Sequence, residues 1–302
     1  MRIERQKGKS TLLTINGVTK SITQWSKETG IDSVVIRQRL RNGCVEDKLF
    51  DPLQSAPRYS FNEHYFDAID SEHKAYWLGF IWCDGYLAIR HRKNCVSYEF
   101  KLSLKNTDAN HLVKFNNDLN GNYEVKYYRC NSFSGKGAVT EARLLITNQH
   151  FGKTLADKYG LVPHRSDCGK LLNNVPEHLM KHFIRGVIDA DGSFLKYQIT
   201  DKGYTVNKYN VSIGTHEDII RTIERYLMSE GIINISERKL QQRHEGRDGE
   251  YRTLSICGKK QCLNILNHIY KESSVYLDRK YEKYLCILDE SEVACKNEIQ
   301  VI

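Results

Sequence analysis

Two nine-residue segments, WLGFIWCDG at Trp77 to Gly85 and IRGVIDADG at Ile184 to Gly192, carry one pattern: Gly, an apolar residue, Ile, two variable positions, Asp, Gly. Gly79 to Gly186 and Asp84 to Asp191 are the same step of 107 residues. The stretches after the two segments match as well. After Gly85 come a strand-like run at Tyr86 to Ile89, an alternating run YEFKLSLK, and a helical stretch from Asp108 to Leu119 with Leu112, Phe115 and Leu119 on one face. After Gly192 come SFLKYQI, YNVSIG and EDIIRTIERYLMSEG, where Ile219, Ile223 and Leu227 recur at helical spacing. EVKYY and ARLLIT in the first copy answer to ISERKL and YRTLSI in the second, and FGKTLADKYG answers to QCLNILNHIY. Each copy predicts helix, two strands, helix, two strands, helix, an α+β unit built on antiparallel hairpins. So long a repeat is no solenoid period. It predicts two αββαββα halves packed about a pseudo-two-fold axis, as in an isologous dimer.

Each segment is an apolar run closing on Asp-Gly, with length for about three helical turns at ~3.6 residues per turn. The glycine is expected to supply the positive φ that ends a helix, so each helix stops at its aspartate. Gly79 with Cys83, and Gly186 with Ala190, put small residues at i and i+4 on one face, where another backbone can come close. If the two helices meet there, Asp84 approaches Asp191 at the negative ends of two helix dipoles. Two carboxylates so placed repel unless a cation lies between them. Mg²⁺ accepts a few carboxylates while keeping waters and phosphate oxygens, which suits phosphodiester chemistry. Mn²⁺ or Ca²⁺ are expected to substitute in binding, and backbone carbonyls near Cys83 and Ala190 are further candidate ligands. A single Asp-Gly is an ordinary turn signal. A turn, however, needs no acid at the same point of two divergent helices.

The two segments resemble the LAGLIDADG motif; IRGVIDADG departs from it only at its first, second and fourth positions, WLGFIWCDG more widely. With the element order included, the resemblance covers Ser60 to Leu288. It implies a single-chain, two-motif homing endonuclease whose antiparallel sheets form a saddle on double-stranded DNA. The implied reaction is a metal-dependent double-strand break in a long target, leaving short 3′ overhangs. The eighth-position aspartates, Asp84 and Asp191, would hold the metal, with the third-position glycines Gly79 and Gly186 in the helix interface. At the sixth position this chain has Asp189 in the second motif and Trp82 in the first. Lacking a symmetric partner, Asp189 is expected to be structural. The resemblance also implies polar or basic residues near the scissile phosphates. By position relative to the Leu-Ser-Leu and Val-Ser-Ile runs, Lys101 and Asn210 match one such place. Lys260 or its neighbour Lys259 matches a second, with Gln149 and His150 at the corresponding place in the first half.

An antiparallel ribbon fits the major groove, where alternate side chains reach base edges. The residues expected to face DNA are Glu99, Lys101, Ser103, Lys126, Tyr128, Lys196, Gln198, Lys208, Asn210, Arg238, Gln241 and Arg243. For any one strand a solvated sheet face is the plain alternative. The formal charge of +8 over 302 residues points the same way, weakly, because basic proteins need not bind polyanions.

Residues before about Ser55 lie outside the duplication. A start signal at Ser21 or Thr23, a helix through Trp25 and Lys27, a turn at Thr29-Gly30 and a second helix from Asp32 with Val35, Ile36 and Leu40 predict helix-turn-helix geometry. Arg37, Arg39 and Arg41 on the second helix suit a groove or phosphates. This small helical module is similar to the helix-turn-helix-like modules of phage-borne homing nucleases; a protein-docking hairpin is the alternative. DPLQSAPRYS reads as a linker, and Ser291 to Ile302 as a frayed tail. The expected divisions are 1–55, 56–165, 166–290 and 291–302.

Nine cysteines with no CxxC pair and no secretory leader predict reduced thiols, no disulfides and a cytoplasmic compartment. The apolar stretch AYWLGFIW is too short to span a bilayer, and a monomer is expected. The competing class is a LAGLIDADG protein that binds nucleic acid without cleavage, an intron RNA maturase or a transcription regulator. Such relatives often lose an acidic residue, and both are kept here. An initial Met and the lack of a terminal His-Asn pair argue against an intein. A zinc enzyme on His178 and His182, or on Cys257 and Cys262, lacks a third ligand.

Overall fold

The computed structural model describes residues 2–4, 11–51, 59–92, 95–131, 137–163, 175–201, 203–233, 241–242 and 251–299. Arg238, Arg243, the strand expected at ISERKL and most of the expected linker lie outside the described residues, and of Gln241 only the backbone is described. Chain contacts divide the protein into two units, Met1–Arg58 and Tyr59–Ile302.

In the first unit, strands β1 (Arg2–Glu4), β2 (Leu12–Ile15) and β3 (Val18–Ser21) form an antiparallel sheet, followed by helices α1 (Ile22–Thr29) and α2 (Ser33–Arg41). The helices start and stop where their capping residues dictate. Ser21 and Gln24 make a reciprocal capping box, Gly30 ends α1 at φ 72°, and the Asp32 carboxylate accepts from the Val34 N–H. The sheet corrects the purely helical module expected from the sequence. Its signal is Asn16-Gly17 between two β-prone runs, with both residues at positive φ, 49° and 79°, as a tight two-residue hairpin requires. Leu13, Ile15, Ile22, Ile31, Ile36 and Leu49 close the small core.

The second unit is α+β. Helix α3 (Glu72–Asp84) leads into β4 (Gly85–Arg92), β5 (Cys95–Lys105), α4 (Ala109–Asp118), β6 (Lys126–Asn131), β7 (Ala138–Thr147) and α5 (Gln149–Tyr159). The same succession follows from α6 (Met180–Asp191): β8 (Gly192–Asp201), β9 (Tyr204–His216), α7 (Glu217–Ser229), β10 (Gln241–Gln242), β11 (Tyr251–Cys257) and α8 (Lys259–Tyr270). A last helix, α9 (Asp278–Ile299), carries helical backbone through most of the segment expected as a frayed tail. Two four-stranded antiparallel sheets result, ordered β4-β5-β7-β6 and β8-β9-β11-β10, and one apolar core runs through both. No helix among the described residues is long and apolar enough to cross a membrane.

Helices α3 and α6 occupy the centre of that core. Every residue from Ala75 to Trp82 is buried, as is every residue from Phe183 to Asp189 of α6, including the polar Arg185 and Asp189. A Cβ on Gly79 would stand 2.1 Å from the Phe183 carbonyl oxygen, and one on Gly186 would stand 2.1 Å from that of Tyr76. The contacts are reciprocal: Gly79 rests on Phe183 and Val187, Gly186 on Tyr76 and Phe80, and each pair differs by the 107-residue step. The glycines after the aspartates behave differently from expectation. Gly85 has φ −73° and Gly192 φ −80°, so both are extended and the chain turns straight from helix into strand. Glycine is required there for space. A Cβ would lie 2.3 Å from the Ile81 oxygen at Gly85 and 2.6 Å from the Ile188 Cα at Gly192.

Candidate active site

Because Gly79 and Gly186 meet at one level of two helices running in the same direction, Asp84 and Asp191 follow that crossing by equal lengths, about 7.5 Å along each axis. Asp84 is half-buried and Asp191 exposed, so the pair is open to solvent and to a ligand. Both act electrostatically on the Lys280 ammonium of α9. The donor set at these helix ends is two carboxylates with the carbonyls of the last turns, at Cys83 and Ala190 among others. It consists of hard oxygen donors at two negative dipole ends, and it fits Mg²⁺ better than a thiolate- or imidazole-seeking ion.

Lys280 is a residue that the sequence reading missed. It is buried, and its Nζ donates to the Ile188 carbonyl at 2.5 Å and the Gly192 carbonyl at 2.6 Å, on either side of Asp191. A cation thus caps the C-terminal end of α6, where it is favourably placed against the helix dipole. Burial pushes its pKa down to about 8, although Asp189, Asp84 and Asp191 all favour the charged form. Nothing in the run DRKYEKY marks this lysine, because its partners lie some ninety residues away.

Asp189 is fully buried and belongs to the frame. It accepts the hydroxyl of Tyr76 at 2.8 Å, that of Tyr270 at 2.5 Å and the Leu277 N–H at 2.7 Å. Burial pushes its pKa up, opposed by those hydrogen bonds and by Lys280. Arg185, which follows Ile184 in the second repeated segment, is likewise buried. Its guanidinium donates to Glu72 of α3 at 2.7 Å and to the carbonyls of Val275 and Ile269. It ties the two central helices together by charge.

Sheet register decides which other candidates stand near the pair. Gly85 lies opposite Leu102 and Gly192 opposite Ile213, so Lys101, beside Tyr86, is one register step from the end of α3. Its Nζ sits 5.0 Å from the Tyr86 ring centroid. The place equivalent to Lys101 in the second sheet is Ser212, paired with Ser193 and Ser255, and the equivalent of Asn210 is Glu99. Matching Lys101 with Asn210 was therefore out of step by two residues. Asn210 lies three steps from Ile213, about 10 Å along the strand, where its amide meets the Cys257 thiol at 3.3 Å. Lys259 and Lys260 follow that far end of β11 and are exposed on the first turn of α8. Gln149 and His150 hold the same place at α5, and His150 bonds to Asp67 at 2.6 Å.

The candidate DNA face is partly as expected. Glu99, Lys101, Lys126 and Tyr128 share the side of the first sheet opposite its core residues Phe100, Leu102, Ala142 and Leu144, as Lys208 and Asn210 do in the second. Ser103 lies on that side with its hydroxyl shielded from solvent. Lys196 and Gln198 do not share it. They alternate with Leu195, Tyr197 and Ile199 and therefore lie on the face of buried Phe194, leaving those three apolar side chains outward. On α2, Arg37 and Arg41 are exposed, whereas Arg39 donates to the Leu49 and Asp51 carbonyls and serves the unit's own fold. Of the alternative zinc ligands, His182 is engaged by Arg185 at 3.0 Å, and the Cys262 thiol donates to the Ile256 carbonyl.

No protein-family model and no curated protein matches the chain. Among solved structures it is similar to the LAGLIDADG meganuclease I-AabMI bound to uncleaved DNA, at 13% identity over 74% of this chain and 91% of that one, with a TM-score of 0.48. It is similar also to the I-SmaMI LAGLIDADG homing endonuclease bound to cleaved DNA, at 13% identity, 76% and 92% coverage and a TM-score of 0.49. The I-LtrWI LAGLIDADG homing endonuclease bound to target DNA gives 14%, 77% and 92%, and 0.47.

Proposed function

We propose that this chain is a LAGLIDADG-type homing endonuclease that makes a Mg²⁺-dependent double-strand break in a long DNA target, leaving short 3′ overhangs. The observation that carries this reading is the reciprocal crossing of α3 and α6 on Gly79 and Gly186, beyond which both helices close on an aspartate. Residues 56–165 and 166–290 act as pseudo-two-fold halves of a monomer, and their sheets form a saddle on the duplex. Asp84 and Asp191 hold the metal, with carbonyls at Cys83 and Ala190 as supplementary ligands. When bound, the metal supplies an activated water and neutralises charge building on the phosphate. Lys101 steadies the phosphate on the side of the first half, and Lys280 fixes the end of α6 and hence the bearing of Asp191. Asn210, farther along β9, and Lys260, on the first turn of α8, serve DNA contact rather than the reaction. Glu99, Tyr128 and Lys208 extend that contact, and Arg37 and Arg41 on the N-terminal unit add a second, helix-turn-helix-like one.

The test is to select a cleavable target from a randomised duplex library and assay the parent with Asp84→Asn and Asp191→Asn. Both variants are expected to bind the target and to lose Mg²⁺-dependent double-strand cleavage by at least about a hundredfold. Unimpaired cleavage by either would overturn the reading. Tight binding by the parent with no cleavage of any duplex would leave a nucleic-acid-binding module in its place.

A further inference from the structure

Away from the paired aspartates, His64, Asp67 and His150 converge so that one ligand atom from each lies within 4.8 Å of the others. Two segments far apart in sequence build this group. His64 and Asp67 are three residues apart in a tight turn, in which the Asn62 side chain accepts the His64 N–H at 3.1 Å and the His64 carbonyl accepts the Asp67 N–H at 3.0 Å. Both side chains therefore leave the turn on one side. His150 is the second residue of α5, whose start is fixed by Asn148 capping the Phe151 N–H at 2.8 Å. The Asn148 amide also donates to Glu63 at 2.6 Å, which ties the helix start to the turn. Beneath them, Phe61 packs edge-on against Phe151 at 5.4 Å, and the Tyr159 hydroxyl donates to the Phe66 carbonyl at 2.8 Å. The frame is rigid, and the three ligands stand on it.

We infer that His64, Asp67 and His150 form a binding site for a borderline divalent cation of the Zn²⁺, Co²⁺ or Ni²⁺ class, bracing the 62–67 turn against the first turn of α5. The Asp67 oxygens already meet one imidazole nitrogen each, His64 Nδ1 at 2.7 Å and His150 Nε2 at 2.6 Å. Two imidazoles and a carboxylate are the donor set such ions prefer, whereas Mg²⁺ seeks oxygen alone. Tetrahedral bonds of about 2.0–2.1 Å hold ligand atoms roughly 3.3 Å apart, a separation that small side-chain rotations reach from here. Glu63 Oε1 lies 3.8 Å from the other nitrogen of His64, too far for a hydrogen bond but adding negative charge beside the site. All three side chains are partly exposed, so water completes the coordination and the ion exchanges. The site differs from the aspartate pair in donors and in the ion it selects, and it does not depend on the nuclease reading.

The experiment uses the full chain stripped of metal by chelation, titrated with Co²⁺ while visible d–d absorption is followed, and with Zn²⁺ by calorimetry. One equivalent of either ion is expected to bind, unaffected by millimolar Mg²⁺, and saturating Zn²⁺ should raise Tm by roughly 5 °C. His64→Ala and His150→Ala should each weaken binding at least tenfold, while Asp84→Asn should not change it. Metal-free circular dichroism and Tm of the two histidine variants, both altered at solvent-facing positions, separate lost binding from lost folding. Absence of Co²⁺ and Zn²⁺ binding by the parent, or parent-like affinity in folded His64→Ala or His150→Ala, would overturn the inference.

Discussion

The two halves of the larger unit share one frame and fill it differently, and the sixth motif position shows how. In the first half Trp82 is buried, and its indole N–H donates to the carbonyl of Tyr159 at the end of α5, 3.0 Å away. In the second half Asp189 receives the hydroxyl of Tyr270 at the end of α8, together with Tyr76 and the Leu277 N–H. Each residue fastens its central helix to the helix that ends the repeated succession, α5 or α8, one with an aromatic ring and the other with a buried anion. Conversely, Gly79 and Gly186, Ile81 and Ile188, Asp84 and Asp191, and Gly85 and Gly192 are identical in the two halves. The glycines are held by backbone approaches that no side chain can enter. The identical glycines are thus fixed by geometry, while at the sixth position it suffices that the buried polar atoms find partners.

If so, the symmetric positions should break the protein symmetrically. Gly79→Ala and Gly186→Ala each drive a methyl group into a carbonyl oxygen of the other helix, and backbone cannot swing aside as a side chain can. Each is expected to cost about 5 kcal/mol or more, lowering Tm by over roughly 10 °C in thermal unfolding. A large loss at one glycine and little at the other would show that the crossing is not reciprocal.

The asymmetric position should break unequally. Asp189→Ala leaves two tyrosine hydroxyls and a backbone N–H without their common acceptor and removes the first of three carboxylates that favour the Lys280 ammonium. A loss of about 3–5 kcal/mol is expected in urea unfolding, the range for a broken buried charge network. Asp189→Asn, which keeps an acceptor oxygen, should lose less. Equal losses would assign the effect to volume rather than to charge.

The frame was legible in the sequence because its determinants are local: the Gly-x-x-x-x-Asp-Gly repeat, the alternation of the strands, and the caps at Ser21 and Asp32. What stayed hidden depends on distant partners or on parity. Arg185 and Lys280 look like surface cations until Val275, Ile269, Ile188 and Gly192 are folded around them. Polarity alone puts Lys196 and Gln198 on the expected DNA face. Yet Phe194, two residues earlier, fixes their side of β8, and the apolar Leu195, Tyr197 and Ile199 face outward instead. The two-residue slip between Lys101 and Asn210 arose because the Leu-Ser-Leu and Val-Ser-Ile runs sit at different heights on the strands. The Asn16-Gly17 hairpin, by contrast, has a local signal, two adjacent turn residues between β-prone runs.

Acid should probe the same polar centre. His111 is buried with its Nε2 at 2.9 Å from the Tyr76 hydroxyl, and since that hydroxyl donates to Asp189, the imidazole is the donor here. Burial pushes its pKa down from 6.5 to about 3; Lys114 and Arg279 push the same way, and Asp278 opposes them. The unfolded chain takes up the proton first. Its contribution is therefore complete above about pH 6.5 and is lost progressively as pH falls towards 3, amounting to roughly 3 kcal/mol at pH 4. Tm measured from pH 7 to pH 4 should fall more steeply for the parent than for His111→Gln, which cannot titrate. Parallel slopes would locate the acid sensitivity elsewhere.

The smallest effect tests the apolar side of the comparison. Trp82→Phe removes one indole N–H, leaves the Tyr159 carbonyl short of one donor and opens a modest cavity in a core otherwise crowded with rings. No charge is uncovered, because the first half keeps none at this position. The expected loss is about 1–2 kcal/mol, read as a shift of the urea midpoint at constant m. Target cleavage should be unchanged, since Asp84 stands two residues further along α3 and is fixed by the Gly79 crossing rather than by Trp82. A loss as large as that of Asp189→Ala would mean that both halves depend equally on the sixth position and differ only in chemistry. A loss of cleavage without a loss of stability would instead bring Trp82 into the reaction site and undo the division between frame and chemistry.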